Sequence, residues 1–172
     1  EPAEELLGMG AHENATQVLS LSEEASIKKL NVSIVDVWVD TRYTFTQGSR
    51  VGSFNAPPGY VYLFIRVHAV DERGAIETFT SPRTFGSDAF TVEDERGVVY
   101  GSAPLYVAED ALPMLYSVPR GEEMDGTVLF KVPEQDVITN ITYTDLVYTG
   151  LSAVWKVNKS IDELKRAHGV GR

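Results

Sequence analysis

The sequence predicts an all-β domain, an antiparallel β-sandwich of about seven or eight strands with a short helix at its C-terminal end. Three observations predict it. Apolar residues recur with period two through most of the chain from Leu30 to Val157, the repeat of strands whose successive side chains face opposite sides of a sheet. Turn-forming clusters, Gly-Ser, Pro-Pro-Gly and Asp-Glu-Arg-Gly, interrupt these runs at short intervals, as hairpin connections require. Helical signals are confined to one terminal stretch, so strands do not alternate with helices and a parallel α/β sheet is excluded.

Taken in order, residues 1–27 are rich in Glu, Ala, Ser and Gly, with Gly8 and Gly10 breaking any early helix, and read as a flexible tether. Residues 28–158 form the sandwich. Leu30, Val32 and Ile34 alternate, then Val35, Val37 and Val39 continue in the opposite phase, which predicts a strand with a bulge near residue 34. A loop or hairpin spans Gln47–Ser53, and Pro57-Pro58-Gly59 makes a turn. Tyr60–Val70 is almost continuously apolar or aromatic, the pattern of a central strand covered on both faces. Asp71-Glu72-Arg73-Gly74 and Asp94-Glu95-Arg96-Gly97 are an internal echo and read as two solvated hairpin tips, the second joining Phe90–Val92 to Val98–Tyr100. Pro104–Arg120 reads as a short edge strand and a long loop. Gly126–Val132 places Val128, Phe130 and Val132 on one face and Lys131 on the other. Ile141–Thr149 and Leu151–Val157 follow, with Gly150 between them as a kink or bulge. Residues 159–172 hold the helix: Ser160-Ile161-Asp162-Glu163 is a capping-box pattern, and Gly169 stops the helix.

Composition narrows the function. The 172 residues, 43% of them hydrophobic, suffice for one domain with its own core. Lys plus Arg number 15 against 25 Asp plus Glu, a net charge of −10 that repels nucleic acid and anionic lipid. An apolar run such as Val61–Ile65 is far too short to cross a bilayer as a helix. Without cysteine there is no disulfide, thiolate metal site or thiol nucleophile. The chain opens at Glu1 without Met or an apolar signal core, which reads as a processed product with an anchor upstream. Four of the five asparagines, Asn14, Asn31, Asn140 and Asn158, stand in Asn-x-Ser/Thr sequons, candidate glycosylation sites that point outside the cytoplasm. Asn14, Asn140 and Asn158 are expected to project from the tether, a loop and a strand end.

The segments Pro58-Gly59-Tyr60 leading into Val61–Val67, Phe90-Thr91-Val92-Glu93-Asp94-Glu95-Arg96-Gly97-Val98-Val99-Tyr100, and Pro119-Arg120-Gly121-Glu122 followed by Gly126–Glu134 carry a family likeness. In order and spacing the chain resembles the telokin-like, immunoglobulin-like domain of prokaryotic secreted or surface lipoproteins, a domain-of-unknown-function family. It departs at His68-Ala69-Val70-Asp71, where that family often has Asn, and in a longer 104–118 segment. The resemblance implies an immunoglobulin-like sandwich and brings no catalytic residue, because the family has no agreed activity.

Searched for chemistry, the sequence offers little. His12, His68 and His168 are too scattered to share a metal. Gly48-Ser49-Arg50-Val51-Gly52 lacks the strand-to-helix setting of a nucleophile elbow, and Gly8-Met9-Gly10 lacks that of a phosphate loop. Asp36 with Asp40, or Asp94 with Glu93 and Glu95, are the carboxylates that could gather Ca²⁺ for an adhesion domain, and a carboxylate hydrolase would need two acids facing one cleft. Tyr43, Phe45, Phe54, Tyr60, Tyr62, Tyr106 and Tyr116 supply aromatics for core packing or for a sugar or protein contact. The expectation is a non-enzymatic extracytoplasmic binding or structural module without cofactor, catalytic or metal-binding residues. It is presented at a cell surface, its partner another surface protein or a cell-envelope component, and it meets the membrane only through an anchor upstream of Glu1.

Overall fold

A computed structural model describes residues 15–72, 83–103, 111–113, 116–118 and 121–167. Alternation builds two facing sheets. The first contains β2 (Ala25–Ile27), β3 (Leu30–Asp40), β6 (Tyr60–Asp71) and β11 (Glu123–Pro133), in the order β11-β6-β3-β2. The second contains β1 (Ala15–Ser20), β8 (Phe90–Asp94), β9 (Val99–Gly101), β12 (Val137–Thr144) and β13 (Leu151–Ser160), in the order β1-β13-β12-β8-β9. Two smaller pairs accompany them, β4 (Arg42–Gln47) with β5 (Arg50–Asn55), and β7 (Arg83–Phe85) with β10 (Tyr116–Val118). Helix α1 (Ile161–Ala167) follows β13 directly.

One core lies between the sheets. From β6 it takes Val61, Leu63, Ile65, Val67 and Ala69, from β11 Val128, Phe130 and Val132, and from β13 Leu151, Ala153, Trp155 and Val157, all buried. At about 1.5–3 kcal/mol for each large apolar side chain removed from water, this layer is the main force holding the sheets together. Phe85, Phe90 and Tyr143 meet ring to ring at 5.3–5.7 Å. The Trp155 indole N–H donates to the Glu23 carbonyl at 2.9 Å, tying the β1–β2 connection to the core.

Bulges keep the apolar phase correct. The β3–β6 register shifts between Ile34 and Asp36, so Val35 is pushed out to 61% exposure while Ile34 and Val39 stay inside. A second shift between Ile138 and Asn140 lets Ile138 and Ile141, three residues apart, both face inward. The capping box forms as expected. The Glu163 N–H donates to Ser160 Oγ at 3.1 Å, and the Ser160 N–H donates to Glu163 Oε1 at 2.9 Å.

Several expectations are corrected. Thirteen strands occur among the described residues, because short edge pairs add to the long alternating runs. Residues 15–27 of the expected tether are β1 and β2. Not every pairing is antiparallel: β1 runs parallel to β13, which is allowed because the two come from opposite ends of the chain and no short hairpin fixes their direction. In place of a kink at Gly150, residues 145–150 form a hairpin loop between paired β12 and β13. Asp145 organises it, accepting the Tyr143 hydroxyl and the Val147 and Tyr148 N–H groups at 2.9 Å each. On β6 one face is buried and the other is mostly half-exposed. The Asp71–Gly74 tip lies partly, and residues 1–14 and 104–110 wholly, outside the described residues.

Candidate functional site

The outer face of the β11-β6-β3 sheet divides into two halves. Cross-strand register sets Asp125, His68 and Ser33 in one row and Thr127, Arg66 and Asp36 in the next, an ionic half. His68 is flanked by Asp125 Oδ1, 2.6 Å from Nδ1, and Glu123 Oε1, 3.3 Å from Nε2. The next row is Leu129, Phe64 and Trp38, then Lys131, Tyr62 and Asp40, an aromatic half. Trp38 stacks on Phe64 at 5.2 Å with an interplanar angle of 5°. Leu129 and Phe64 are buried here, although they face away from the core between the sheets.

The β4–β5 hairpin accounts for part of that burial. Gly48, with a φ of +62°, opens the two-residue Gly48-Ser49 connection, where the twist of the strands requires a left-handed residue. Its ribbon lies against the aromatic half: the Tyr43 ring is 5.2 Å from Tyr62, 5.2 Å from Phe54 and 6.4 Å from Phe64. Burial, reinforced by Tyr62, pushes the Tyr43 phenol up. Beyond this contact the ribbon is open, with Val51 75% and Phe54 47% exposed. At its foot Tyr60 is 40% exposed, and Lys131 places its ammonium 5.1 Å from the Tyr60 ring centre, a cation–π contact.

A second cluster is buried. Asp94 Oδ1 accepts the Arg96 and Val98 N–H groups at 2.9 Å. Its Oδ2 takes Arg96 Nη2 at 2.7 Å and the Tyr100 hydroxyl at 3.1 Å. That hydroxyl lies 3.4 Å from Asp136 Oδ2, so the β8–β9 and β11–β12 turns share one network. Burial pushes the Asp94 carboxyl up, but bonds from Arg96, Val98 and Asp136 outweigh it and hold Asp94 well below the usual carboxylate range. Burial and the bond to Asp94 push Asp136 the other way. Asp94 is therefore the more acidic of the two. Burial, then Asp94 and Asp136, push the Tyr100 phenol up to about 12.

The site residues expected from the sequence scatter. Asn158 is exposed in β13 with a φ of +51°, Asn31 is half-buried in β3, and Asn14 lies outside the described residues. Asn140 is not in a loop: it is half-buried in β12, its Nδ2 donates to Glu93 Oε1 at 3.1 Å, and its Oδ1 is buried. Asp94 is buried rather than solvated, and among the described residues no three His, Asp or Glu side chains are placed to hold a metal ion. A cleft of about 420 Å³ lies beside Glu134, Asp136, Asp162 and Lys165. The Asp136 side chain is only 3% exposed and meets Tyr100 inside, so Asp94 and Asp136 are not two acids facing one cleft. Of the expected aromatics, Tyr43, Phe54 and Tyr62 converge and Tyr60 stands at their edge. Tyr106 and the Phe45 and Tyr116 side chains lie outside the described residues. Sequence reasoning missed Trp38, Phe64 and Leu129 as a cluster, because the phase of Trp38 depends on the bulge and the meeting of the three on cross-strand register.

Fold and site together define a β-sandwich module with its exposed chemistry on an outer sheet face. Solved structures share this fold. A candidate lipoprotein of Bacillus subtilis, ycdA, matches 84% of the chain at 16% identity and a TM-score of 0.58, and the chain spans 41% of that structure. The secreted protein MPT63 of Mycobacterium tuberculosis matches 86% of this chain and 100% of its own at 14% identity and a TM-score of 0.54. An uncharacterized β-sandwich protein of Clostridium difficile matches 85% of this chain and 97% of its own at 13% identity and a TM-score of 0.51. No family model matches the sequence, and no curated protein does.

Proposed function

We propose that this chain is a non-enzymatic, extracytoplasmic binding module of the telokin-like lipoprotein kind, presented at a cell surface, and that it engages a cell-envelope component with the β4–β5 ribbon. One observation carries this reading. Val51 and Phe54 stand open on a ribbon seated over an aromatic sheet face, outside the core that holds the fold together. Apolar side chains open to water on both faces of a ribbon and outside the core are available for recognition. The names of two fold neighbours, one a candidate lipoprotein and one a secreted protein, support the address. The test is binding of the purified chain to isolated envelopes of its source cell. Val51→Ser with Phe54→Ser should weaken binding about tenfold or more, the loss expected when anchoring side chains are removed, while the protein stays folded with a melting temperature lowered by only a few degrees, since Phe54 also packs on Tyr43. Equal binding by the variant overturns the proposal.

A further inference from the structure

The ribbon also carries an electrostatic signature, and the partner it points to depends on the ribbon being the binding surface proposed for this chain. No Asp or Glu occurs between Asp40 and Asp71, in a chain of net charge −10. Within that stretch Arg42 on β4 and Arg50 on β5 are exposed, and among the described residues neither forms an ion pair. In a protein with 25 acidic and 15 basic residues, acidic partners are abundant. Two guanidiniums left without one, on the segment from which acids are absent, make a local anion-seeking surface.

The ribbon's geometry selects among anions. Arg42 lies opposite Asn55, and Thr44 opposite Ser53. Alternate cross-strand pairs share a face, so the guanidinium of Arg42, the amide of Asn55 and the hydroxyls of Thr44 and Ser53 line, together with Val51, the face turned away from Tyr43 and Phe54. By the same rule Arg50, opposite Gln47 at the tip, falls on the other face, that of Tyr43 and Phe54, about 17 Å along the ribbon from Arg42 at ~3.3 Å per residue, so a partner that meets both arginines has to follow the ribbon round its tip. Guanidiniums suit phosphate and carboxylate, and the amide and hydroxyls suit sugar or polyol oxygens. A flat anionic bilayer would bring the acidic body of the domain towards like charge, which is screened only beyond about 8 Å at physiological salt. A single strand touches the ribbon alone. We infer that the partner is an anionic glycopolymer of the cell envelope, a chain with phosphate or carboxylate groups repeated along a sugar or polyol backbone.

The test uses the full chain and immobilised polyglycerol phosphate, with dextran as the neutral control and vesicles of equimolar phosphatidylcholine and phosphatidylglycerol as the membrane arm. The wild type should bind polyglycerol phosphate and not dextran, with affinity falling as salt rises. Arg42→Gln with Arg50→Gln should lose roughly tenfold or more by removing two anion contacts, and Arg50→Gln alone should lose part of this, all with unchanged melting temperatures. If the arginine variants bind source-cell envelopes normally while Val51→Ser with Phe54→Ser does not, this inference falls and the ribbon remains the binding surface. If neither set affects envelope binding, both readings fall. Vesicles bound as tightly as the polymer, with the same arginine dependence, would replace the polymer with a membrane.

Discussion

Leu129 and Phe130 are neighbours on β11 with opposite orientations, and truncating each in turn tests both faces of the sheet. Phe130 is fully buried among the residues of the core, opposite Leu63. Leu129 lies opposite Phe64 on the outer face, yet is only 1% exposed. A sheet with one solvated face would leave Leu129 in water, and Leu129→Ala would then cost almost nothing. With the outer face covered, Leu129→Ala should cost about 2–5 kcal/mol and Phe130→Ala about 3–5 kcal/mol, from lost transfer energy plus a residual cavity. In a domain of this size each kcal/mol lowers the melting temperature by about 2–4 °C, so both variants should melt at least several degrees early. Val99→Ala, at a position 60% exposed, should stay within about 0.5 kcal/mol. Urea melts read all three. A loss under about 1 kcal/mol for Leu129→Ala, with Phe130→Ala behaving as expected, would refute the covered outer face; a small loss for both would refute the strand itself.

The Asp94–Asp136 pair makes stability depend on pH in two directions. Asp94 is depressed when folded, so its contribution is present above its unfolded value and fades as pH falls through the folded one. Asp136 is raised, so its contribution is complete below its unfolded value and fades as pH rises through the folded one. Both start from 3.8, and their joint contribution should be greatest near that pH. Asp136→Asn should abolish the fall on the high-pH side and keep the low-pH one; thermal melts in which wild type and variant run parallel above pH 4 would contradict the raised Asp136. Gly126→Ala should destabilise by about 1–3 kcal/mol or more, because the new Cβ would meet Leu112 Cβ at 2.7 Å and the Leu112 backbone at 2.8 Å; a neutral melt would show that the 111–113 segment yields. In protein from its own source, glycan should be found at exposed Asn158 and be absent from Asn140, whose amide is engaged with Glu93. Site-resolved peptide mass spectrometry checks this, and occupancy at Asn140 would contradict the engagement of its amide with Glu93.

Local patterns in the sequence determined the features that depend on near neighbours. The phase change after Ile34 announced the bulge now seen at Val35, the Asp94–Gly97 signature announced a hairpin, and Ser160 with Glu163 announced a cap that forms with both bonds. The in-phase run of Leu151, Ala153, Trp155 and Val157 announced a buried strand face. The tertiary structure decided everything that needs two distant segments to meet. It turned residues 15–20 into a strand by giving them the free edge of β13. It buried Asp94, placed in the sequence at a solvated tip, against a partner on the β11–β12 turn. It also folded the β4–β5 ribbon onto Tyr62 and Phe64, making an aromatic surface from residues that the sequence showed only as part of a continuously apolar central strand. The physical reason is that alternation states which side chains share a face, whereas what covers that face depends on register and on loops that return from elsewhere in the chain.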